Sequence, residues 1–474
     1  MNSVRKIFKS MGLFGGVQVI TIMCSIIRTK LVAIWIGPMG VGLFGIFNQA
    51  LETLNTGTNL GMRQSSVRDI SQAVEHGDGN RISRIITAVR RWSVWLALGG
   101  ALVTMALAPV LSRYTFGDTS HIWGYVALSA AVFLMAITNG EYAILQGTAK
   151  LRKLAMVTIC GTFCGLIISI PLFYWLRERS ILPSIIAYAL ACALFAVLFR
   201  NRDYAPVPQT KAETVAIGKD FISLGIFMTA GAFAGMLANY IFVAWLNYVA
   251  GTETVGLYQA GYTLINKYTA LVLTALGMEY YPRLSRIAGD QKRLSESVSQ
   301  EIIVSMVVIT AIASIFIVLR YPIISLLYSG EFHAVAPMIA WGAVGTVLRT
   351  LSWCLAFVIL AKGAGRIYII TETISAVLFL VLSMACYVHS GITGLGVAYL
   401  LWYAFYTLIV AWVYVGTFRL KLTGATVAVA ATALATTAAV AVAVLLGHTA
   451  LAFAITAVAV LVSVTATIRL ARRR

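Results

Sequence analysis

Charge is what this 474-residue chain has least of: Asp, Glu, Lys and Arg make up 11% of it, while 60% is hydrophobic. A soluble domain carries about 25% charged residues, and one this apolar could not cover its own surface. Acids are scarcer than bases, 17 against 36. The five histidines (His76, His121, His333, His389 and His448) are scattered over loops and span ends, with neither metal spacing nor a nucleophile–base arrangement. The six cysteines all lie in apolar runs. Cys160 and Cys164 are one helical turn apart, but no His or acid completes a metal site, so they read as reduced, small hydrophobes. The phosphate-binding pattern GxxxxGK[ST] is missing and no inner loop is long enough for a nucleotide-binding domain, which excludes ATP hydrolysis on this chain. No outer loop is long enough to carry a catalytic domain. No enzyme, cofactor or metal is expected. The first apolar run is too long for a cleavable signal peptide and reads as an anchor that stays.

Long apolar runs fill the space that charge leaves. With about 20 residues per bilayer crossing, about fourteen spans follow, beginning near 11–36 and 40–66 and ending near 424–446 and 449–469. Basic residues collect in alternate loops: Arg5, Lys6 and Lys9 before the first span, Arg81, Arg84, Arg90 and Arg91 in the second loop, Arg283, Arg286, Lys292 and Arg293 in the eighth, and Arg472 to Arg474 in the tail. This is the positive-inside pattern, and it puts both termini in the cytoplasm. It also accounts for the formal charge of +19 without nucleic acid, for which no motif is present. Two basic loops, Ser71 to Arg91 and Leu284 to Glu301, have apolar residues at helical spacing (Ile82, Ile85 and Ile86 in the first) and read as connecting helices with membrane-surface character.

An internal repeat lies at an offset of about 215. Val41-Gly42-Leu43-Phe44 recurs as Val255-Gly256-Leu257-Tyr258, and Gly61-Met62-Arg63 as Gly277-Met278-Glu279. The offset covers six spans, an even number, so the copies share orientation and are related by an axis along the membrane normal. The expected fold is all-α and polytopic, with two six-helix lobes in parallel pseudo-twofold repeat, residues 1–210 and 211–420, and two extra helices with a basic tail at 421–474. Glu52 shifted by the repeat falls on Lys267 and Arg63 on Glu279, so Glu52 and Lys267 are expected to face each other across the cleft between the lobes.

A charge at bilayer depth costs roughly 2.5–3.5 kcal/mol on insertion scales and normally faces a partner or a water-filled path. Arg28, Glu52, Lys267, Arg349 and Glu372 all lie within apolar runs. Gln18, Thr21, Ser25 and Arg28 share one face of the first span, while Lys30 lies off that stripe. Asn48, Glu52, Asn55, Asn59 and Arg63 step by three and four residues down one face of the second. Gln259, Thr263, Asn266 and Lys267 repeat the theme in the eighth. Such amides also join membrane helices to one another. Arg28, Arg63, Lys267 and Arg349 are the candidate anion-binding cations, and Asn55, Asn59, Gln259 and Asn266 the candidate polar contacts. Glu52 and Glu372 serve either as counter-charges or as protonation sites, Glu52 being placed to neutralise Arg28. Trp353, one turn beyond Arg349, serves as packing or as a cation–π partner.

Ile36-Gly37-Pro38-Met39-Gly40-Val41-Gly42-Leu43 resembles the turn between the first two helices of bacterial lipid-linked oligosaccharide flippases. Val255-Gly256-Leu257-Tyr258-Gln259, Tyr281-Pro282-Arg283-Leu284-Ser285-Arg286, and the series Trp341, Gly345, Arg349, Ala361-Lys362, Arg366, Tyr368-Ile369 and Glu372 are similar to later stretches of the same proteins. The chain is identified as resembling the O-antigen and enterobacterial common antigen translocases, Wzx, within the multidrug/oligosaccharidyl-lipid/polysaccharide exporter superfamily. The resemblance covers roughly residues 10–416; the last two spans depart from its twelve-helix pattern. It implies a carrier in the bacterial inner membrane that moves an undecaprenyl-pyrophosphate-linked oligosaccharide to the periplasmic leaflet by alternating access. A polysaccharide polymerase and a chain-length regulator are candidate partners. A peptidoglycan lipid II flippase is the alternative that fourteen spans suit. A cation-coupled multidrug antiporter is the other, and the excess of intramembrane Arg and Lys argues against it.

Overall fold

The structure is a computed structural model. It describes the backbone of residues 2–472 and the side chains of 16–466, apart from 220–221, 223–224, 227–228, 267–269, 271–272, 274–279, 281–282 and 285. Among the described residues it is all-helical, without strands. The helices are α1 (Asn2–Trp35), α2 (Gly37–Asn59), α3 (Met62–Glu75), α4 (Gly79–Phe116), α5 (Ile122–Gly147), α6 (Leu151–Leu176), α7 (Ile181–Leu198), α8 (Lys211–Arg286), α9 (Gln291–Val318), α10 (Arg320–Leu327), α11 (Ala336–Ala361), α12 (Gly365–Trp412), α13 (Gly424–Leu445) and α14 (Thr449–Arg472). Helix satisfies every backbone hydrogen bond within its own segment, as a lipid environment requires.

Two helices are broken. α8 leaves helical geometry at Gly251 (φ 81°, ψ 168°), and α12 at Ser390 and Gly391. Counted as separate limbs, and with the short α3 and α10 set aside, the long segments match the fourteen spans expected. Among the described residues, ten stretches are long and apolar enough to cross a membrane. Two of them, Leu151–Leu198 and Gly365–Thr417, hold 48 and 53 residues, enough for two crossings each at about 1.5 Å per residue. α2 falls outside the ten because its polar face lowers its hydropathy.

The repeat has a backbone counterpart. Gly37 and Gly251 both sit at φ 81°, each four residues before a Val-Gly-Leu-aromatic run, so each copy begins with the same left-handed glycine break. The second pair of matched sequences diverges. Leu60 and Gly61 are both left-handed and end α2, whereas Gly277-Met278 lies inside α8.

By packing, the chain divides between Val255 and Gly256 into two compact units. Residues 211–255 therefore pack with the first 210. In the second unit, α13 and α14 share a core with α9 and α11: Ile317, Ala340, Ala343 and Val344 meet Val440, Ala441, Val444 and Ala452. The two terminal helices are thus built into that unit.

The two basic loops differ from expectation. The stretch from Ser71 to Arg91 is interrupted between α3 and α4, where Asp78 caps α4 by accepting from the Arg81 N–H. Ile82, Ile85 and Ile86 are buried with Met62, Ile70, Val89 and Ile144, so they face helices rather than lipid headgroups. Between Arg286 and Gln291 the chain likewise turns from α8 into α9, with Asp290 as the cap; Leu294, Val298 and Ile302 are fully buried. Periodicity marked both helices correctly, but tertiary packing took the apolar faces.

Candidate functional site

The intramembrane cations of the first unit are placed in three different ways. Arg28 on α1 is 8% exposed. Its Nη2 donates to the Ser184 carbonyl at 2.8 Å, and its guanidinium lies 4.7 Å from the Phe44 and Tyr188 ring centroids. Its Nε is buried without a hydrogen-bond partner among the described residues. It makes no ion pair with Glu52, which is exposed on α2; aromatic faces and one carbonyl take the place of a counter-charge. Arg63 is not part of one continuous polar face with Asn48–Asn59. The left-handed residues Leu60 and Gly61 end that face, and Arg63 opens α3 with its guanidinium 5.3 Å from the Tyr142 ring. A Cβ at Gly61 would lie 2.2 Å from the Gly225 carbonyl oxygen, so the break is enforced by close backbone contact with α8. Arg90 is the third case. Its Nε and Nη2 donate to the two oxygens of Glu141 at 2.8 and 3.2 Å, and Nη2 also donates to the Asn201 carbonyl at 2.9 Å. The sequence hides this pair, because Arg90 falls in a run of basic residues that reads as a loop. The signal was Glu141, an acid inside an apolar run.

Along α2, Asn48 donates to the Phe44 carbonyl at 2.7 Å, a local bond. Asn55 and Asn59 each have a buried amide oxygen without a hydrogen-bond partner among the described residues, and Asn59 is 6% exposed. Two acceptors one turn apart on one face await donors.

In the second unit the structure brings Arg349, Asn266 and a set of aromatic residues together. Arg349 Nη1 donates to Asn266 Oδ1 at 2.8 Å and to the Tyr399 hydroxyl at 3.3 Å. Tyr399 donates to the same Asn266 oxygen at 3.3 Å, closing a triangle. The guanidinium lies 5.9 Å from the Tyr403 ring, whereas Trp353 packs on Tyr280 and Phe357. Glu372 makes no ion pair with Arg349; it accepts from the Tyr406 hydroxyl at 2.6 Å. Trp402 Nε1 donates to Ser375 Oγ at 3.0 Å. Tyr399, Trp402, Tyr403 and Tyr406 form one stripe at helical spacing on the second limb of α12, fastened to Glu372, Ser375 and Phe379 on the first limb. That stripe was readable as a pattern but not as the mounting of Arg349.

Two edges of the Arg349 fork differ. Nη1 is spent on the triangle, while Nε and Nη2 carry no hydrogen bond among the described residues. A guanidinium held this way presents a planar two-donor edge, the geometry that suits a phosphate or carboxylate. Arg283, by contrast, is neutralised by Glu301 at 2.5 Å. Gln259 is half-buried on α8. Lys267 and Glu279 lie outside the residues whose side chains are described, and with them the expected Glu52–Lys267 pairing. A groove of about 980 Å³ runs between α9, α13 and α14, lined by residues such as Met306, Val307, Thr310, Thr436, Val458 and Val462.

Outside the spans, the Lys150 ammonium lies 2.5 Å from the Asp203 carboxylate. Its hydrogen bond holds Asp203 below the usual carboxylate range and raises Lys150 in turn. Their side chains are 40% and 46% exposed and tie the loop after α7 to the α5–α6 turn.

Residues 70–337, more than half of the chain, match the family model described as polysaccharide biosynthesis protein. The chain belongs to that family. It is 23% identical over 385 residues to the lipid III flippases of Escherichia coli (strain K12) and Shigella flexneri, a match covering 80% of this chain and 90% of each relative. Its fold is similar to an inward-facing MATE multidrug transporter of the MOP superfamily (TM-score 0.69, 15% identity, 85% of this chain and 94% of that one). It is also similar to the lipid II flippase MurJ in an inward closed conformation (TM-score 0.67, 12% identity, 96% and 99%). The MurJ match leaves too little of the chain uncovered to omit α13 and α14, so most of the two terminal helices lie inside that shared fold.

Proposed function

We propose that this multi-pass membrane protein is a flippase that moves an undecaprenyl-pyrophosphate-linked oligosaccharide of the O-antigen repeat type from the cytoplasmic to the periplasmic leaflet. The observation that carries the reading is Arg349: a cation in a membrane-spanning helix, braced by Asn266 and Tyr399, unpaired with any carboxylate among the described residues, and offering its Nε–Nη2 edge. An uncompensated cation at that depth is costly unless an anion visits it. A pyrophosphate headgroup is such an anion. The orphan amide oxygens of Asn55 and Asn59 suit the hydroxyls of a sugar. The groove along α9, α13 and α14 suits an apolar chain.

Family membership and the lipid III flippase relatives support this class of cargo. In this reading Arg28, Arg63, Lys267 and Gln259 assist in binding, and Glu52 and Glu372 couple or balance charge. The lobes of the transport cycle are residues 1–210 and 211–420. Both termini face the cytoplasm of a bacterial inner membrane, and a polysaccharide polymerase and a chain-length regulator act beside it. An inside-negative potential drives an anionic headgroup outward by roughly 2.3 kcal/mol per charge per 100 mV, so two uncompensated charges gain about 5 kcal/mol. A lipid II cargo is the second reading, favoured by the coverage of the MurJ fold through α14.

The test is transport by purified protein in vesicles, following a labelled undecaprenyl-pyrophosphate oligosaccharide with and without an imposed potential. Protein-dependent movement between leaflets, lost in Arg349→Met, is the expected result. No movement with active, correctly oriented protein sinks the proposal, and movement only of lipid II transfers it to the second reading.

A further inference from the structure

Three hydroxyl groups meet where α4 ends and α5 begins. Thr115 Oγ1 lies 3.1 Å from the Tyr240 hydroxyl, Tyr125 donates to Thr115 Oγ1 at 3.1 Å, and the Tyr125 and Tyr240 hydroxyls are 3.1 Å apart. Thr115 and Tyr125 are 0% exposed and Tyr240 5%. Each hydroxyl can donate to one neighbour and accept from the other, so the ring satisfies itself without water. Beside it, Asn247 Nδ2 donates to the Thr115 carbonyl at 2.7 Å, closing the last turn of α4, and Thr252 Oγ1 donates to Asn247 Oδ1 at 2.8 Å. Tyr240 and Asn247 belong to the first limb of α8. Thr115 and Tyr125 belong to the first 210 residues.

The limb meets α2 and the turn after it in a second way, with Gln49 Nε2 and Thr53 Oγ1 donating to the Met236 carbonyl at 3.5 and 3.4 Å. Backbone meets backbone at Gly61 and Gly225, and a Cβ on Gly225 would lie 2.3 Å from the Leu60 carbonyl oxygen. A Cβ on Gly57 would lie 2.8 Å from Phe233. The glycine contacts are shape-specific, because no side chain fits between the two backbones. The hydroxyl ring is a cluster whose members can exchange one another for water at small net cost, which is what a reversible closure needs and what permanent packing does not.

We propose that the Thr115–Tyr125–Tyr240 ring, with Asn247 on the α4 end, is a latch that holds the first limb of α8 closed against the α4–α5 turn and opens in each transport cycle. The inference rests on the alternating-access reading for the purpose of the motion, but the motion itself is measurable without any cargo. Opening would hydrate three hydroxyls that are paired when closed. Positive-inside loops put this turn on the outer side, so the latch would close the periplasmic end.

Spin labels at Thr119 and Glu253, both exposed, report the separation across the latch in protein whose six native cysteines are replaced, reconstituted in nanodiscs without substrate. Tyr240→Phe removes one hydroxyl and two of the three ring contacts while keeping the ring volume. The expected result is growth of a longer-distance population by about 5–30-fold relative to the parent, with Thr115→Val doing the same by its own route. Unchanged distance distributions in both variants, with folded, monodisperse protein, overturn the proposal. A lower melting temperature without a second population overturns it too, because the ring would then be static packing. Opening in a protein that moves no lipid-linked sugar keeps the latch and refutes the proposed cargo.

Discussion

Replacing Arg349 with Lys keeps the charge and removes the fork. In the structure Nη1 is committed to Asn266 and Tyr399, and only the Nε–Nη2 edge remains for an anion. A lysine ammonium that takes over the contact with Asn266 has no second fixed edge to offer, so the ligand loses at least one charge-assisted hydrogen bond. Such a bond contributes about 1.5–3 kcal/mol, which corresponds to roughly 10- to 150-fold in affinity. Arg349→Met removes the charge as well, and two such bonds correspond to about 10²–10⁴-fold. The assay is binding of a labelled undecaprenyl-pyrophosphate sugar to purified protein in nanodiscs, paired with vesicle transport. A thermal melt in detergent separates lost binding from lost fold. Tyr399→Phe, which removes the brace but not the fork, should fall between wild type and Arg349→Lys. Binding by Arg349→Lys within a factor of two of wild type refutes the fork as the anion-binding element. Equal losses for the diphosphate lipid and for a neutral lipid-linked sugar refute it as well.

Three further outcomes follow from the geometry. Arg28→Ala removes two cation–π contacts of about 0.5–2 kcal/mol each and the bond to Ser184, so the melting temperature should fall along with surface glycan. Loss of glycan at an unchanged melting temperature would make Arg28 a contact of the cargo alone. Glu141→Gln leaves Arg90, which is 23% exposed, without its counter-charge and should destabilise the first unit, by less than the roughly 3–5 kcal/mol of a fully buried pair, seen as a loss of folded protein in denaturant titration; a near-neutral result would mean that the Asn201 carbonyl suffices. Asp203 has its carboxyl lowered by Lys150, so its contribution is fully present above the unfolded carboxylate pKa and fades as pH falls through the lower folded value. Asp203→Asn should abolish a small acid-side step in the melting temperature, and a step of equal size in both proteins would assign it elsewhere.

Family, class and span count were legible because each depends on local sequence. Scarcity of charge and long apolar runs call for helices that satisfy their own backbone, and the glycine-led Val-Gly-Leu-aromatic repeats mark where two of those helices begin. The candidate site was legible only in part. Asn266 and Arg349 were singled out separately, and they touch at 2.8 Å. The aromatic stripe that braces them was missed because Tyr and Trp at helical spacing look the same whether they mount a cation or fill a core. The polar face of α2 was read one turn too far, since a heptad-like spacing cannot register two left-handed residues.

The sequence by itself determined that this chain is a polytopic helical membrane protein with basic residues gathered in alternate loops, an internal repeat and charges inside its apolar runs. These are consequences of composition and of periods of a few residues. Only the tertiary structure decided what each charge does. It gave Arg90 and Arg283 to carboxylates, sheathed Arg28 in aromatic rings, and left Arg349 with one open edge. Those assignments depend on partners 50 to 156 positions away for Arg90, Arg28 and Arg349, and a partner at that separation is chosen by how helices pack, which no local pattern encodes.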